Sequence, residues 1–233
     1  MSYGKIGIIG AMKEEIALFL EHMEQVETTE KAGIQFLEGL LHNQKIVLCK
    51  SGVGKVNAAV TTQILIDNFG IDSIIFTGVA GAVHPDLNVG DIVISSELLQ
   101  HDMDVTALGF PRGTIPYEEV SLFVSDERLK QAAMDASNEL FPGRVQVGRV
   151  LSGDQFIASR DTVAKLYSEL QGTCTEMEGA AVAQVCAMNS IPQVVIRSMS
   201  DKADGSAEVN FAQFTLQASE NSYRIVDHML KHL

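Results

Sequence analysis

The chain has no tryptophan, five prolines, three cysteines and only 17 lysines and arginines, against 30 aspartates and glutamates, in 233 residues. The formal net charge of −13 argues against a nucleic-acid surface, which needs clustered cations to neutralise phosphates. It also disfavours a site for highly anionic ligands and suits a neutral or cationic small molecule, although local fields can override a net value. Cys49, Cys174 and Cys186 lie far apart without CxxC spacing, and two of them fall in apolar stretches where buried reduced thiols are common, so they read as structural cysteines of a reducing compartment. No apolar run is long. The longest, residues 74–83, is far too short to span a bilayer. The opening MSYGKIGIIGAMKEE lacks the apolar region and small-residue cleavage site of a secretory signal. The expectation is a soluble cytoplasmic protein.

What is present is apolar material in a regular alternation. At 46 % hydrophobic and 20 % charged, with no low-complexity stretch, the chain can bury a sizeable core as one domain over residues 1–233. Short β-branched runs at 6–9, 46–49, 74–77, 92–95, 145–151 and 194–198 predict buried strands. Helix-length patterns fall at 56–69, 126–140, 162–170, 179–188 and 211–230, the second opening on Asp126 as a cap and closing at Pro142-Gly143. Strand and helix in alternation predict an α/β fold, a mixed, mainly parallel central sheet flanked by helices. Ligands of such sheets gather at the carboxyl ends of the strands, which directs attention to four segments.

After residues 6–9 comes Gly10-Ala11-Met12-Lys13-Glu14-Glu15, with two acids in the first turn of the next helix. Complementing the helix dipole accounts for them equally well. After 74–76 comes Thr77-Gly78-Val79-Ala80-Gly81-Ala82, whose small side chains let a flat ligand approach the backbone or simply allow a tight turn. Thr175-Glu176-Met177-Glu178-Gly179 leads from a short strand into an apolar helix. Its two acids are either surface charge or site carboxylates, one toward the cleft and one away. Arg197-Ser198-Met199-Ser200-Asp201 places Asp201 in a loop beyond a strand, where turn chemistry is the ordinary explanation. Arg197 can hold a carboxylate ionised, one way of separating the roles of several acids.

Other chemistries find little support. GIIGAM is not GxGxxG, and Ser51-Gly52-Val53-Gly54-Lys55 lacks phosphate-loop spacing. No GxSxG occurs, so a nucleophile elbow is missing. The six histidines have no paired ligand spacing and mostly fall in helix or turn contexts expected to be exposed. His101-Asp102-Met103-Asp104 is the one stretch that could be drawn as a metal cluster, and no second ligand group accompanies it.

Taken in order, GIIGAMKEE, SGVGKVNAA, FTGVAGAV, GDIVIS, HDMDVTALGF, SGDQFI, EMEGAAVAQVC and VVIRSMSDKAD resemble the bacterial 5′-methylthioadenosine/S-adenosylhomocysteine nucleosidases of the nucleoside phosphorylase superfamily. The resemblance runs from about residue 5 to the C-terminal helix. It implies a homodimeric hydrolase that releases adenine without metal or cofactor. By position, Glu15 is the base that polarises the attacking water, and Asp201 the acid that protonates adenine. Glu178 holds the ribose hydroxyls, with Met177 beneath the sugar, and Glu176 is counted among the substrate-binding residues. Phe156 stacks on adenine while Ile157 reads its edge through the backbone, and Arg197 and Ser200 orient water and acid. Ala80 and Gly81 contribute the small-residue wall. Met12, Val53 and Phe211 line the 5′ pocket, together with Val105, Leu108 and Pro116 of the partner subunit. Two positions depart from the pattern: Val79 stands where Ser or Thr is frequent, and Leu108 where an aromatic residue is common. The alternatives are a phosphorolytic nucleoside phosphorylase, a nucleosidase for another adenine nucleoside such as aminofutalosine, and a non-catalytic nucleoside-binding protein.

Overall fold

A computed structural model describes residues 4–203 and 207–233, with side chains resumed at Phe211. Ten strands form one sheet, ordered β10-β6-β8-β9-β5-β1-β4-β3-β2, with β7 on β6 and a further pairing of β10 with β5. These are β1 (Lys5–Gly10), β2 (Glu24–Lys31), β3 (Ile34–Leu41), β4 (Gln44–Lys50), β5 (Ser73–Ala82), β6 (Ile92–Gln100), β7 (Leu122–Val124), β8 (Val145–Ser152), β9 (Gly172–Glu176) and β10 (Gln193–Asp201). The β10–β5 pairing closes β5, β10, β6, β8 and β9 into a ring, from which β1, β4, β3 and β2 extend as a wing. Parallel pairs join β1 to β4 and β5, β5 to β10, and β8 to β6 and β9. The remaining pairings are antiparallel.

Among the described residues six α-helices cover this sheet: α1 (Lys13–His22), α2 (Lys55–Phe69), α3 (Glu127–Leu140), α4 (Arg160–Leu170), α5 (Gly179–Asn189) and α6 (Ala207–Leu230). Alternation along β1 shows how the layers divide. Ile6 and Ile8 pack with Phe19, Leu129, Ile225 and Met229 from α1, α3 and α6. Ile9 packs on the opposite face with Leu65 of α2 and Val182 and Cys186 of α5. A strand buried on both faces reads as a continuous apolar run, which is why β1, β4 and β10 stand out in the sequence. Asp126 is the predicted cap, its carboxylate accepting from Leu129 N at 2.9 Å. All three cysteines are free and buried.

Two expectations about the strands are corrected. Residues 77–82 do not turn after a strand but continue β5 to Ala82, fully buried. Asp201 is the last residue of β10, at a bulge after Met199, and not part of a loop. Beyond the predicted strands lie the short β7 and, as an antiparallel pair, β2 and β3. Every residue of β2 is exposed, so it has no hydrophobic signature. Its hairpin turns on Ala32 and Gly33, and the β3–β4 hairpin on His42 and Asn43, all at positive φ.

Candidate active site

The carboxyl ends of β1, β4, β8, β9 and β10 open on a cavity of about 320 Å³, against the final residues of β5. Its wall consists of Ala11, Met12 and Glu15, Val53, Val79, Ala80 and Gly81, Gln155, Phe156 and Ile157, Thr175, Glu176, Met177 and Glu178, Ser200 and Asp201, and Phe211. Every expected site residue of the chain's own pocket is therefore on this wall except Arg197, which lies behind it. Ala11, Gln155 and Thr175 were not among the expected site residues; Ala11 and Gln155 sit inside the quoted GIIGAMKEE and SGDQFI stretches, and Thr175 opens the Thr175–Gly179 segment.

Glu15 occupies the first turn of α1, and its carboxylate folds back over that helix end. One oxygen accepts from Ala11 N at 2.7 Å and Met12 N at 2.8 Å, the other from Val79 N at 3.0 Å. The helix-terminus role and the site role thus fall on one side chain. Glu14, by contrast, is exposed. Burial pushes the Glu15 carboxyl above its ordinary value, although Arg197 and the three amides oppose this. Space for the carboxylate comes from Gly78, where a Cβ would collide with Glu15 Oε1 and lie 2.6 Å from Arg197 Nη1.

Glu176 and Glu178 share the N-terminus of α5 but are held differently. Glu176 accepts from Gly179 N at 2.8 and 2.9 Å, from Glu178 N at 3.2 Å, from Arg197 Nη2 at 2.5 Å and from Ser152 Oγ. The expectation that one acid of the pair points away from the cleft is corrected: both line it, and Glu176 is saturated by its own chain. Arg197 is fully buried, its guanidinium carbon 4.0 Å from the Phe76 ring centroid. Burial opposes its charge, but Glu176, Glu15 and Glu178 outweigh that and hold it protonated. Glu178 accepts from Gly54 N at 2.8 Å. Burial, then repulsion from Glu176, pushes its carboxyl up to about 8.

Asp201 enters from the opposite strand. Its Oδ2 accepts from Ser200 Oγ at 2.8 Å and its Oδ1 from Ala203 N at 2.7 Å. Gly81 faces it across the β5–β10 ladder, where a Cβ would lie 2.8 Å from Asp201 Oδ1. The ring of Phe156, half exposed at the mouth, meets Phe211 edge-on at 5.7 Å between centroids.

Val105, Leu108 and Pro116 lie off the wall of this cavity, with Leu108 exposed. His101 departs from the expectation of exposed histidines. It is fully buried, and neither ring nitrogen has a hydrogen-bond partner among the described residues. Its neighbours are engaged elsewhere, Asp102 with Lys55 and Asp104 with Thr106. Among the described residues, no group of three His, Cys, Asp or Glu side chains is arranged to hold a metal ion.

The family model of the phosphorylase superfamily matches residues 5–231. The 5′-methylthioadenosine/S-adenosylhomocysteine nucleosidase of Bacillus licheniformis is 43 % identical over 98 % of this chain and 99 % of its own length. The crystal structure of the corresponding Neisseria meningitidis nucleosidase, in complex with methylthio-immucillin-A, superposes with a TM-score of 0.95 at 39 % identity, covering 99 % of this chain and 100 % of that one. The futalosine hydrolase of Helicobacter pylori superposes with a TM-score of 0.94 at 36 % identity, covering 98 % of each chain. The chain belongs to the phosphorylase superfamily and, within it, to the 5′-methylthioadenosine/S-adenosylhomocysteine nucleosidases, which are N-ribosyl hydrolases.

Proposed function

We propose that the protein, acting as a single domain, hydrolyses the N-glycosidic bond of 5′-methylthioadenosine and S-adenosylhomocysteine, and of 5′-deoxyadenosine. The products are adenine and the matching 5-substituted ribose, which serves methionine salvage and recycling of the methyl cycle in the cytoplasm. One observation carries hydrolysis over phosphorolysis: among the described residues the cavity wall holds four carboxylates and no lysine, arginine or histidine. A phosphate dianion beside Glu15 would be repelled by several kcal/mol, on the order of the Coulomb energy of like charges about 4 Å apart at an effective dielectric near 20. Water carries no such penalty.

In this reading the bond between C1′ and adenine lengthens first, leaving a cationic, oxocarbenium-like sugar, as in glycoside hydrolysis. Asp201, steadied by Ser200 Oγ and Ala203 N, gives a proton to the five-membered ring of adenine, so that the base departs neutral. Glu15 takes a proton from the attacking water as oxygen bonds to C1′; its raised pKa makes it a stronger base once ionised. Glu178 accepts from the ribose hydroxyls close to the developing cation, with Met177 beneath the sugar. General acid or base assistance of this kind contributes roughly 10²–10⁴-fold per group. Arg197 acts by fixing Glu176, whose carboxylate orders the start of α5 and thereby Glu178. Phe156 stacks on adenine, and Met12, Val53 and Phe211 receive the apolar 5′ substituent.

We assign the rest of that pocket to Val105, Leu108 and Pro116 of the partner subunit in a homodimer, in keeping with the exposure of Leu108. Aminofutalosine is the second substrate to consider, supported by the likeness to a futalosine hydrolase. The test is adenine release from methylthioadenosine in phosphate-free buffer, beside an Asp201→Asn variant. Release by the parent, and a loss of at least about a hundredfold in the variant, is the expected outcome. Release only with added phosphate replaces the reading by phosphorolysis. No release in either buffer withdraws the substrate and turns attention to aminofutalosine.

A further inference from the structure

Three polar residues outside the cavity form a closed ring. Asp102 Oδ1 accepts from Lys55 Nζ at 2.6 Å, and Asp102 Oδ2 from Asp154 N at 2.9 Å. Asp154 Oδ1 in turn accepts from Lys55 N at 2.8 Å. The Lys55 and Asp102 side chains are largely shielded, at 17 % and 15 % exposure, unlike an ordinary exposed surface pair, which contributes little. Burial works against the Asp102 charge, yet the hydrogen bonds from Lys55 and Asp154 outweigh it and hold the carboxyl below its ordinary value. Charge-assisted bonds of this length are stronger than neutral ones.

What the ring holds gives it meaning. Lys55 begins α2, and the residue before it, Gly54, donates its N–H to Glu178 Oε1 at 2.8 Å. Gly54 sits at φ 98°, where a Cβ would also lie 3.1 Å from Asp154 Oδ1. On the other side, Asp154 leads directly into Gln155, Phe156 and Ile157, all on the cavity wall. The ring therefore bridges the loop that steadies Glu178 and the loop that carries Phe156. Lys55 Nζ also donates to Gln100 Oε1 at 3.0 Å, and Gln100 Nε2 to Gln184 Oε1 of α5 at 2.6 Å, which ties the ring to the helix whose N-terminus bears both glutamates.

We propose that Asp102 is a positioning residue that clamps the loops after β4 and β8 to each other and so sets affinity for the adenosine half of the substrate. The proposal rests on the nucleosidase reading for its substrate and on the geometry above for its clamp. Two variants break the ring without touching the cavity wall: Asp102→Asn removes the charge at constant size, and Lys55→Met removes the ammonium while keeping the stem. Each is expected to raise KM for methylthioadenosine about tenfold with kcat within twofold. The double variant is expected to be no worse than the more impaired single, because the Lys55–Asp102 link is already severed in each. In the substrate-free protein, hydrogen exchange at the amides of Gly54 and residues 154–157 is expected to accelerate at least about tenfold in each variant, with the β1 and β10 amides unchanged. Unchanged exchange at those loop amides, an unchanged KM, a fall in kcat at constant KM, or additive KM effects would overturn the proposal. Absence of adenine release by the parent protein overturns the substrate reading instead, and the exchange measurement then decides the clamp by itself.

Discussion

The guanidinium of Arg197 lies 2.5 Å from the Glu176 carboxylate, with the side chains 1 % and 3 % exposed. Breaking such a pair from one side leaves an uncompensated charge, which costs about 3–5 kcal/mol. Arg197→Met strands Glu176 beside Glu178 and is expected to lower stability by about that amount in urea unfolding at neutral pH. Glu176→Gln leaves Arg197 with attraction to Glu15 and Glu178 and costs less. Combining the two recovers part of the loss. A cost of the arginine variant within experimental error of zero would show that the pair does not hold this part of the fold together.

The same pair marks the boundary of what sequence alone reveals. Arg197 reads as a partner for some carboxylate, and Glu176 as one of two acids ahead of an apolar helix. That they meet each other depends on β9 and β10 being brought together through β5, over 21 residues of chain. Local periodicity carries no information about such a contact. Strand ends were legible because parallel sheets gather ligands there, and Glu15, Glu178 and Asp201 all follow that rule. The second half of β5 was not legible. Thr-Gly-Val-Ala-Gly-Ala has turn-like composition, but pairing with β10 and β9 keeps it extended. Its glycines leave room for the Glu15 and Asp201 carboxylates. Tertiary demand overrides propensity at these positions. Likewise β2 is exposed on both faces, and His101 is buried at the end of β6 although the Asp102-Met103-Asp104 that follows it is half-buried to exposed.

Glu178 makes stability depend on pH. Its carboxyl rises from 4.5 to about 8 in the folded chain, so between those values the folded state binds more protons than the unfolded state. Stability therefore falls as pH rises through that window and levels off above it. Glu15 is raised as well and acts in the same direction. Asp102 and Asp227 are lowered and act below the window, losing their contribution only as pH falls through their folded values. Urea unfolding from pH 5 to pH 9 is expected to show the decline in the parent protein and a shallower one in Glu178→Gln. Parallel curves for the two proteins would remove Glu178 as its source.

Gly78 offers the sharpest test of how tightly the site is built. It lies in the middle of β5, paired with Arg197 of β10, and its carbonyl accepts from Ser222 Oγ of α6 at 2.8 Å. A single added methyl there meets the Glu15 carboxylate on one side and the Arg197 guanidinium on the other. Neither can retreat freely. Glu15 is fixed by three amides, and Arg197 is fixed by Glu176 and by the face of Phe76. Overpacking of a buried site costs roughly 1–3 kcal/mol, and here the strain falls on the proposed base. Gly78→Ala is expected to lose stability in that range. It is also expected to lose adenine release by well over tenfold, because displacing Glu15 removes the group that polarises water. Ala80→Gly, a change of the same size two residues along β5 that removes a methyl and so adds no clash, is expected to keep most of its turnover. Near-parental adenine release by Gly78→Ala, measured at saturating methylthioadenosine, would mean that the Glu15 carboxylate can move without penalty and that its fixed position is not what the chemistry uses.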